Sequence, residues 1–359
     1  MEKQMKTQKI SISKSAPDIN ILSAAAKLIK EGQLVAFPTE TVYGLGADAF
    51  NANAVQTIFS VKERPATDPL IVHIDRVNAI NTVAIKIPDL ALELANRFWP
   101  GPLTLILEKH PNIPHTVTSG GASVAVRMPD HQIALMLIEI SGCPIAAPSA
   151  NRFSRPSPTR ADHVWNDLNG KISMILDSGP ADIGLESTVL DLTKSPPCIL
   201  RPGGISMDQL EKIIPDVHIR RSYLTESNQK QISPGQLFKH YSPDARLVAF
   251  KGPSHKNVIL AMYSHMEKLL ENNQSVGIML VEENIVFFQK LLQKGGLIEN
   301  LGSRNHLDLV ARNLFACMRN LDSAKVNTIL IAMPPDNGLG LAINDRLVRA
   351  STDVIWIDS

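Results

Sequence analysis

The sequence predicts a mixed α/β fold in two domains, the second small and Rossmann-like. Three observations carry this. Short apolar runs alternate with helical patterns along most of the chain. The alternation breaks once, from about Pro215 to Asp244, in a polar stretch that closes on Ser233-Pro234-Gly235 and Ser242-Pro243. And 359 residues are too many for one ordinary domain.

The elements follow in order. A helical pattern over about 21–30 leads into a buried strand, 34–37, that stops at Pro38. Residues 54–61 read as a helix with Asn53 near its N-cap. Further strands are expected at 70–74, 103–107, 123–126, 145–146, 172–176, 188–192 and 198–200, with helices at 133–140 and 161–168. After the polar stretch, strands at 247–250, 276–280 and 328–332 alternate with helices at 257–270, 285–292, 307–320 and 341–349. Three or four β-α units in that span are what predict the Rossmann-like domain. The expected division is 1–213, a linker at 214–245, and 246–359. The linker is longer than a passive connection needs, which points to a functional loop.

Composition narrows the function. Hydrophobic residues make up 44% and charged residues 20%, an ordinary globular balance. The formal net charge of +1 leaves no global basic field to drive nonspecific nucleic-acid binding. An aromatic content of 5% disfavours a base-stacking surface. Cys143, Cys198 and Cys317 are far apart and form no C-x-x-C, so neither a disulfide framework nor a structural zinc site is expected. Residues 1–15 are polar and lysine-rich, unlike a signal peptide, and no apolar run is long enough to span a membrane. A soluble cytoplasmic protein is expected. No P-loop, complete dinucleotide fingerprint or G-x-S-x-G elbow occurs.

Four clusters carry candidate chemistry, and each has a plain alternative. Pro38-Thr39-Glu40-Thr41-Val42-Tyr43-Gly44-Leu45-Gly46 follows a buried strand, where open α/β sheets bind ligands; it also reads as a turn whose glycines take positive φ. Lys62 and Arg64 converge on a polyphosphate, or merely offset a helix dipole before Pro65. Ala147-Pro148-Ser149-Ala150-Asn151 and Ser157-Pro158-Thr159 offer small polar groups to phosphate or ribose, or make ordinary turns. Arg127 and Arg201 end strands and suit anions, or are simply solvated.

The order of these clusters resembles the YrdC-like family. The run is F-P-T-E-T-V-Y-G-L-G (37–46), K-E-R-P-A (62–66), P-L-I-V-H-I (69–74), W-P-G-P-L-T-L-I-L (99–107), V-A-V-R-M-P (124–129), A-P-S-A-N (147–151), S-P-T (157–159), G-L-E-S-T-V-L-D-L (184–192) and R-P-G-G-I (201–205). P-G-x-x-x-x-H-Y-x-P (234–243) and G-L-G-x-A-x-x-D-R-L-x-R-A (338–350) resemble the linker and second domain of that family's long form.

The resemblance implies an open twisted mixed sheet with a positively lined cavity, and a linker that covers it. It implies an enzyme, a nucleotidyltransferase that joins L-threonine, bicarbonate or CO2, and ATP into threonylcarbamoyl-AMP with release of pyrophosphate. A separate tRNA threonylcarbamoyl transferase complex then uses the product on adenosine 37 of tRNA. By the same resemblance, Lys62, Arg64, Ser149 and Asn151 form the catalytic clamp on ATP. Asp68, Ser123, Ser157 and Arg201 fall at nucleotide contacts, and His240 and Tyr241 reach the nucleotide from the linker. Thr41, His73, Arg127, Ala147 and Ser187 fall at threonine contacts. Magnesium is expected to ride on the triphosphate, with no metal site of the protein's own. The family commonly has glycine where Ser154 stands, so a stiffer loop is expected there. The resemblance also allows weak binding of tRNA or other RNA. Two rivals share the fold: an RNA-binding module without catalysis, disfavoured by charge and aromatic content, and a carbamoyl-transfer domain of the hydrogenase-maturation type, which would carry zinc-finger cysteines or an acylphosphatase-like segment.

Overall fold

The computed structural model describes residues 6–220 and 240–358. The chain divides into two compact units. The first is Met1–Phe153, Ser157–Asp182 and Glu186–Phe238; the second is Ser154–Pro156, Ile183–Leu185 and Lys239–Ser359.

Unit 1 is built on one open sheet. Its strands are β1 (Gln8–Ser11), β2 (Val35–Phe37), β3 (Gly44–Asp48), β4 (Ile71–His73), β5 (Ala84–Ile85), β6 (Leu103–Lys109), β7 (Ser123–Arg127), β8 (Ile145–Ala147), β9 (Met174–Asp177), β10 (Thr188–Asp191), β11 (Cys198–Arg201) and β12 (His218–Ile219). Their order is β1-β9-β2-β3-β8-β4-β7-β6-β10-β11-β12, with β5 on β6. Pairing is mixed: β4 and β7 run parallel, β3 and β8 antiparallel. This is the open mixed sheet the sequence led one to expect.

The helix Ile19–Lys30 starts where Asp18 accepts the N–H groups of Asn20 and Ile21. It buries Leu22, Ala25, Ala26 and Ile29, an i, i+3, i+4, i+7 stripe. That stripe shares an apolar cluster with Ile133, Ala134 and Leu137 of the helix Gln132–Ser141 and with Val35 and Phe37 of the sheet. The helix Ala52–Lys62 is capped by Asn51, two residues before the expected Asn53, and ends at Glu63 in the left-handed region (φ 57°).

One sequence expectation needs correction here. Gly44 and Gly46 are not positive-φ turn residues. They lie in β3, opposite Phe37 and Val35 of β2. A Cβ on Gly46 would stand 2.8 Å from both a Phe37 ring carbon and Ile145 Cγ2. Glycine is used there for room. Several short or half-exposed elements were also not anticipated: β1, β5, β12, the 3-10 turn Val77–Thr82 and the helix Asp89–Phe98.

Unit 2 has five parallel strands, β13 (Arg246–Lys251), β14 (Val276–Leu280), β15 (Leu297–Asn300), β16 (Thr328–Ala332) and β17 (Asp353–Trp356), ordered β15-β14-β16-β13-β17. Four helices connect them: His255–Glu271, Glu282–Gln293, Leu307–Ser323 and Gly340–Ala350. This is the expected Rossmann-like unit, with β15 and β17 added at its edges.

Two short excursions belong to this unit. Arg155 pairs with Asp322 (2.7 Å), whose other oxygen accepts the N–H groups of Asp244 (2.8 Å) and Ala245 (2.9 Å). Arg319 donates through Nε (3.0 Å) and Nη2 (2.5 Å) to the Pro156 carbonyl. Ser242 N–H donates to the Ser154 carbonyl at 2.7 Å. Ser154 has φ 66°, a left-handed conformation that costs a non-glycine residue about 1–2 kcal/mol. Glycine, which the resemblance implies for this place, would adopt this conformation without that cost. Leu185 joins the apolar cluster of Tyr241, Ala311, Leu314 and Phe315. At Gly184 (φ 76°) a Cβ would lie 2.5 Å from the Arg312 backbone.

Candidate active site

Side chains alternate faces along a strand. Ser123, Ala125 and Arg127 of β7 therefore share a face with Ile71 and His73 of β4, which pair with Ala125 and Arg127, and with Ala147 and Ile145 of β8. On β6, Thr104 comes opposite Arg127, one row beyond the Leu105–Val126 pair. Thr104 also pairs with Val189 of β10. A register shift between Val189 and Leu190 lets Arg201 of β11 oppose Val189. Such a bulge re-aims a side chain. One cross-strand row thus holds Arg201, Val189, Thr104, Arg127, His73 and Ile145. Its floor is an apolar cluster of Ile71, Ile106, Ala125, Val189, Cys198 and Leu200.

Two bonded groups lie along the row. Arg201 donates to the Ser187 carbonyl (3.0 Å) and hydroxyl (3.2 Å), and the Ser187 and Thr104 hydroxyls meet at 2.7 Å. Arg127 pairs with Glu40 at 2.5 Å and donates Nε–H to the Gly101 carbonyl. Both members of that pair are buried. Neither Arg127 nor Arg201 is the solvated strand-end arginine of the plain alternative. Burial, followed by the Arg127 charge, lowers the His73 pKa to about 3, so His73 is a neutral imidazole at ordinary pH.

The other edge of the same strands gathers a second set. Ser149 lies two residues past Ala147, and Ser123 two residues before Ala125, so both extend beyond the Ile71 row. The loop leading into β4 ends at that edge. In it, Arg64 and Asp68 form a buried pair at 2.8 Å, and Arg64 also donates to the carbonyls of Asp68 and Pro69. Lys62 is 1% exposed, which rules out a solvated helix-end cation. Its Nζ donates to the carbonyls of Ser149 (2.6 Å) and Asn151. The Ser149 hydroxyl donates to Asn151 Oδ1 at 2.5 Å. Thr41 meets Thr39 at 2.8 Å, and its loop is tied down where Tyr43 N–H donates to the Pro158 carbonyl and the Tyr43 carbonyl accepts from Ala150 N–H. Ser157 donates to the buried carboxylate of Glu186.

Lys62, Arg64, Arg127 and Arg201 are four buried cations, and Glu40, Asp68 and Glu186 are three buried carboxylates. The site keeps an excess of positive charge, which favours anionic ligands.

Thirteen of the fifteen sequence-expected residues are in unit 1, at the positions described. His240 and Tyr241 are in unit 2. There Tyr241 (φ 64°) is 1% exposed, stacks on Phe315 (5.4 Å between centroids) and lies under the Arg346 guanidinium. Its ring thus serves the core of that unit. His240 N–H donates to the Arg349 carbonyl at 3.2 Å. Pro234 and Gly235 lie outside the described residues. Sequence reasoning did not assign Glu40, Thr104 or Glu186, although each stands inside a quoted motif.

Residues 27–203 match the family model described as "Telomere recombination", and residues 205–352 match "Threonylcarbamoyl-AMP synthase, C-terminal domain". The threonylcarbamoyl-AMP synthase of Pyrococcus abyssi is 45% identical over 91% of this chain and 93% of its own. The chain belongs to the threonylcarbamoyl-AMP synthase family. The Bacillus subtilis synthase is 43% identical over 92% of each chain. The crystal structure of P. abyssi Sua5 complexed with L-threonine superimposes with a TM-score of 0.90 at 42% identity, covering 98% of this chain and 99% of that one. Membership in the synthase family agrees with the resemblance, and so does the mixed-sheet fold.

Proposed function

We propose that this chain makes threonylcarbamoyl-AMP and pyrophosphate from L-threonine, bicarbonate or CO2, and MgATP, as the first step of threonylcarbamoyladenosine formation in tRNA. The observation that carries the reading is the pair of buried, cation-bearing groups at the two edges of β4, β7 and β8, in a chain of this family. The row edge suits an amino acid. Arg127 would take the carboxylate, and neutral His73, Thr41, Ala147 and Ser187 would frame the side chain. At the other edge, Lys62, Arg64, Ser149 and Asn151 would grip the phosphates of ATP, with Asp68, Ser123 and Ser157 as further nucleotide contacts and Arg201 reaching the nucleotide from the row.

The chemistry asks for positioning more than for a nucleophilic side chain. The threonine amine adds to CO2 and loses a proton, giving a carbamate. A carbamate oxygen attacks the α-phosphorus, pyrophosphate leaves, and a mixed anhydride forms. Fixed cations offset the charge that develops on the transferring phosphate, and alignment supplies much of the rest. Magnesium arrives with ATP as part of the substrate. The product would pass to a tRNA-modifying transferase. No described helix is long and apolar enough to cross a membrane, and action in the cytoplasm is part of the proposal. The segment 214–245 is proposed as a lid that keeps water from the carbamate and anhydride.

Pyrophosphate release tests the reading. It should require threonine and bicarbonate together, and equal release with threonine omitted would overturn it. Lys62→Ala and Arg64→Ala should each cut ATP use by about 10- to 100-fold, since hydrogen bonds to a charged group are worth about 1.5–3 kcal/mol.

A further inference from the structure

Unit 2 contains a cavity that no step above uses. Along its sheet, the connections leaving β13 and β14 move one way through the strand order, and those leaving β15 and β16 move the other. Right-handed crossovers then put the two pairs of helices on opposite faces. The apolar clusters agree. His255–Glu271 and Glu282–Gln293 pack in one, Leu307–Ser323 and Gly340–Ala350 in the other. Since β14 and β16 are neighbours, the chain leaves their carboxyl ends toward opposite faces. That is a topological switch point, the place where open parallel sheets bind ligands.

A cavity of about 360 Å³ sits there, within the size range of small-molecule sites. Met279 from the end of β14, Ile331 and Met333 from the end of β16, and Val310 and Ile343 from the two helices of one face make apolar walls. Two thioethers let the walls adapt to a flat or branched body. Polar groups gather among the lining residues: His255 and Asn284, whose ring and amide nitrogens meet at 3.2 Å, with Arg304 and Asn305. Arg304 is positioned by its backbone. Glu283 accepts its N–H at 3.1 Å and the neighbouring Ser303 hydroxyl at 2.6 Å. The Arg304 guanidinium forms no ion pair among the described residues. No carboxylate lines the cavity.

We propose that this cavity is a second ligand site, separate from the synthase site, for a small organic carboxylate. The apolar body sits between Met279 and Met333, and the carboxylate meets the Arg304 fork with the Asn305 and Asn284 amides beside it. An apolar interior with a cation at its exposed mouth and no Asp or Glu among its described lining residues favours this chemistry over a cationic ligand.

The test uses the full chain with methionine methyl groups labelled with carbon-13. 2-Naphthoate is titrated as the probe, with 2-naphthalenemethanol as the uncharged control. Saturable shifts of the Met279 and Met333 methyl signals are expected, with the alcohol about 10-fold weaker. Arg304→Gln, at an exposed position, should weaken the acid about 10-fold and leave the alcohol unchanged. Ile331→Trp, or Ala332→Phe should the first not fold, should abolish both by filling the cavity. Absent saturation, equal affinity for acid and alcohol, or undiminished binding in a folded filled variant would each overturn the proposal.

Discussion

Glu40 and Arg127 show how much a site can depend on one unassigned carboxylate. Both are buried and meet at 2.5 Å. Removing one partner of a buried pair strands the other charge and costs about 3–5 kcal/mol. Glu40→Ala should therefore lower the urea midpoint clearly. If threonine presents its carboxylate to Arg127, it supplies the missing anion, and threonine should stabilise Glu40→Ala against heat more than it stabilises the parent. A smaller upshift in the variant would make Glu40 part of the threonine site instead of the occupant that threonine displaces. His73 gives a pH prediction. Its pKa falls from 6.5 to about 3 on folding. The unfolded chain takes up a proton that the native site refuses. The stability is thus complete above about pH 6.5 and lost as pH falls toward 3, at no more than about 1.4 kcal/mol per pH unit from this group. His73→Gln should flatten the fall in denaturation midpoint between pH 6 and 4.5. An unchanged slope would place the acid sensitivity elsewhere.

At the scale of elements, legibility followed apolar content. Strands such as β14 and β16, and the helix Ala161–Leu168, were readable at their observed bounds because each is a clean apolar run or a clean helical period. β3 was not. Its Gly-Leu-Gly-Ala-Asp carries the residues of a turn, and the reason for its glycines, room beside Phe37 and Ile145, exists only after β2, β3 and β8 pair. The site divides the same way. Arg127 and Arg201 were visible as strand ends, but the partner of Arg127 stands 87 residues away, and the turn of Arg201 onto its row needs a bulge. Gly46→Ala tests the packing account. The added methyl in this closed interior should cost about 1–3 kcal/mol by overpacking, and Phe37→Leu in the same chain should recover part of it. No recovery would mean that glycine serves something other than room. In unit 2, Arg319→Met leaves the Pro156 carbonyl without its two N–H donors. A cost of about 1–3 kcal/mol is expected, with faster hydrogen exchange in residues 152–157, the stretch that joins Asn151 to Ser157.

At the scale of the whole chain, two adjacent residues near the start of the last stretch of unit 2 carry two different expectations. The resemblance assigns His240 and Tyr241 together to a nucleotide. The structure gives Tyr241 a core role as well, since its ring lies in the cluster with Leu185, Phe315 and Ala342 and is 1% exposed. Deleting both side chains at once would confuse a lost lid with a damaged core, and single substitutions separate them. Tyr241→Ala is a large-to-small core change and should cost about 3–5 kcal/mol. Hydrogen-exchange protection should fall in the helix Leu307–Ser323, which carries Phe315. Tyr241→Phe keeps the stacked ring and should leave that protection near the parent's. The His240 ring packs edge-on against Tyr241 at 4.0 Å between centroids, so His240→Ala should lower that protection less than Tyr241→Ala does, while lowering the yield of threonylcarbamoyl-AMP per ATP consumed if the proposed lid excludes water. Unchanged yield in a folded His240→Ala would remove the nucleotide role from this residue. Unchanged protection of Leu307–Ser323 in Tyr241→Ala would show that the ring does not hold the core it packs in.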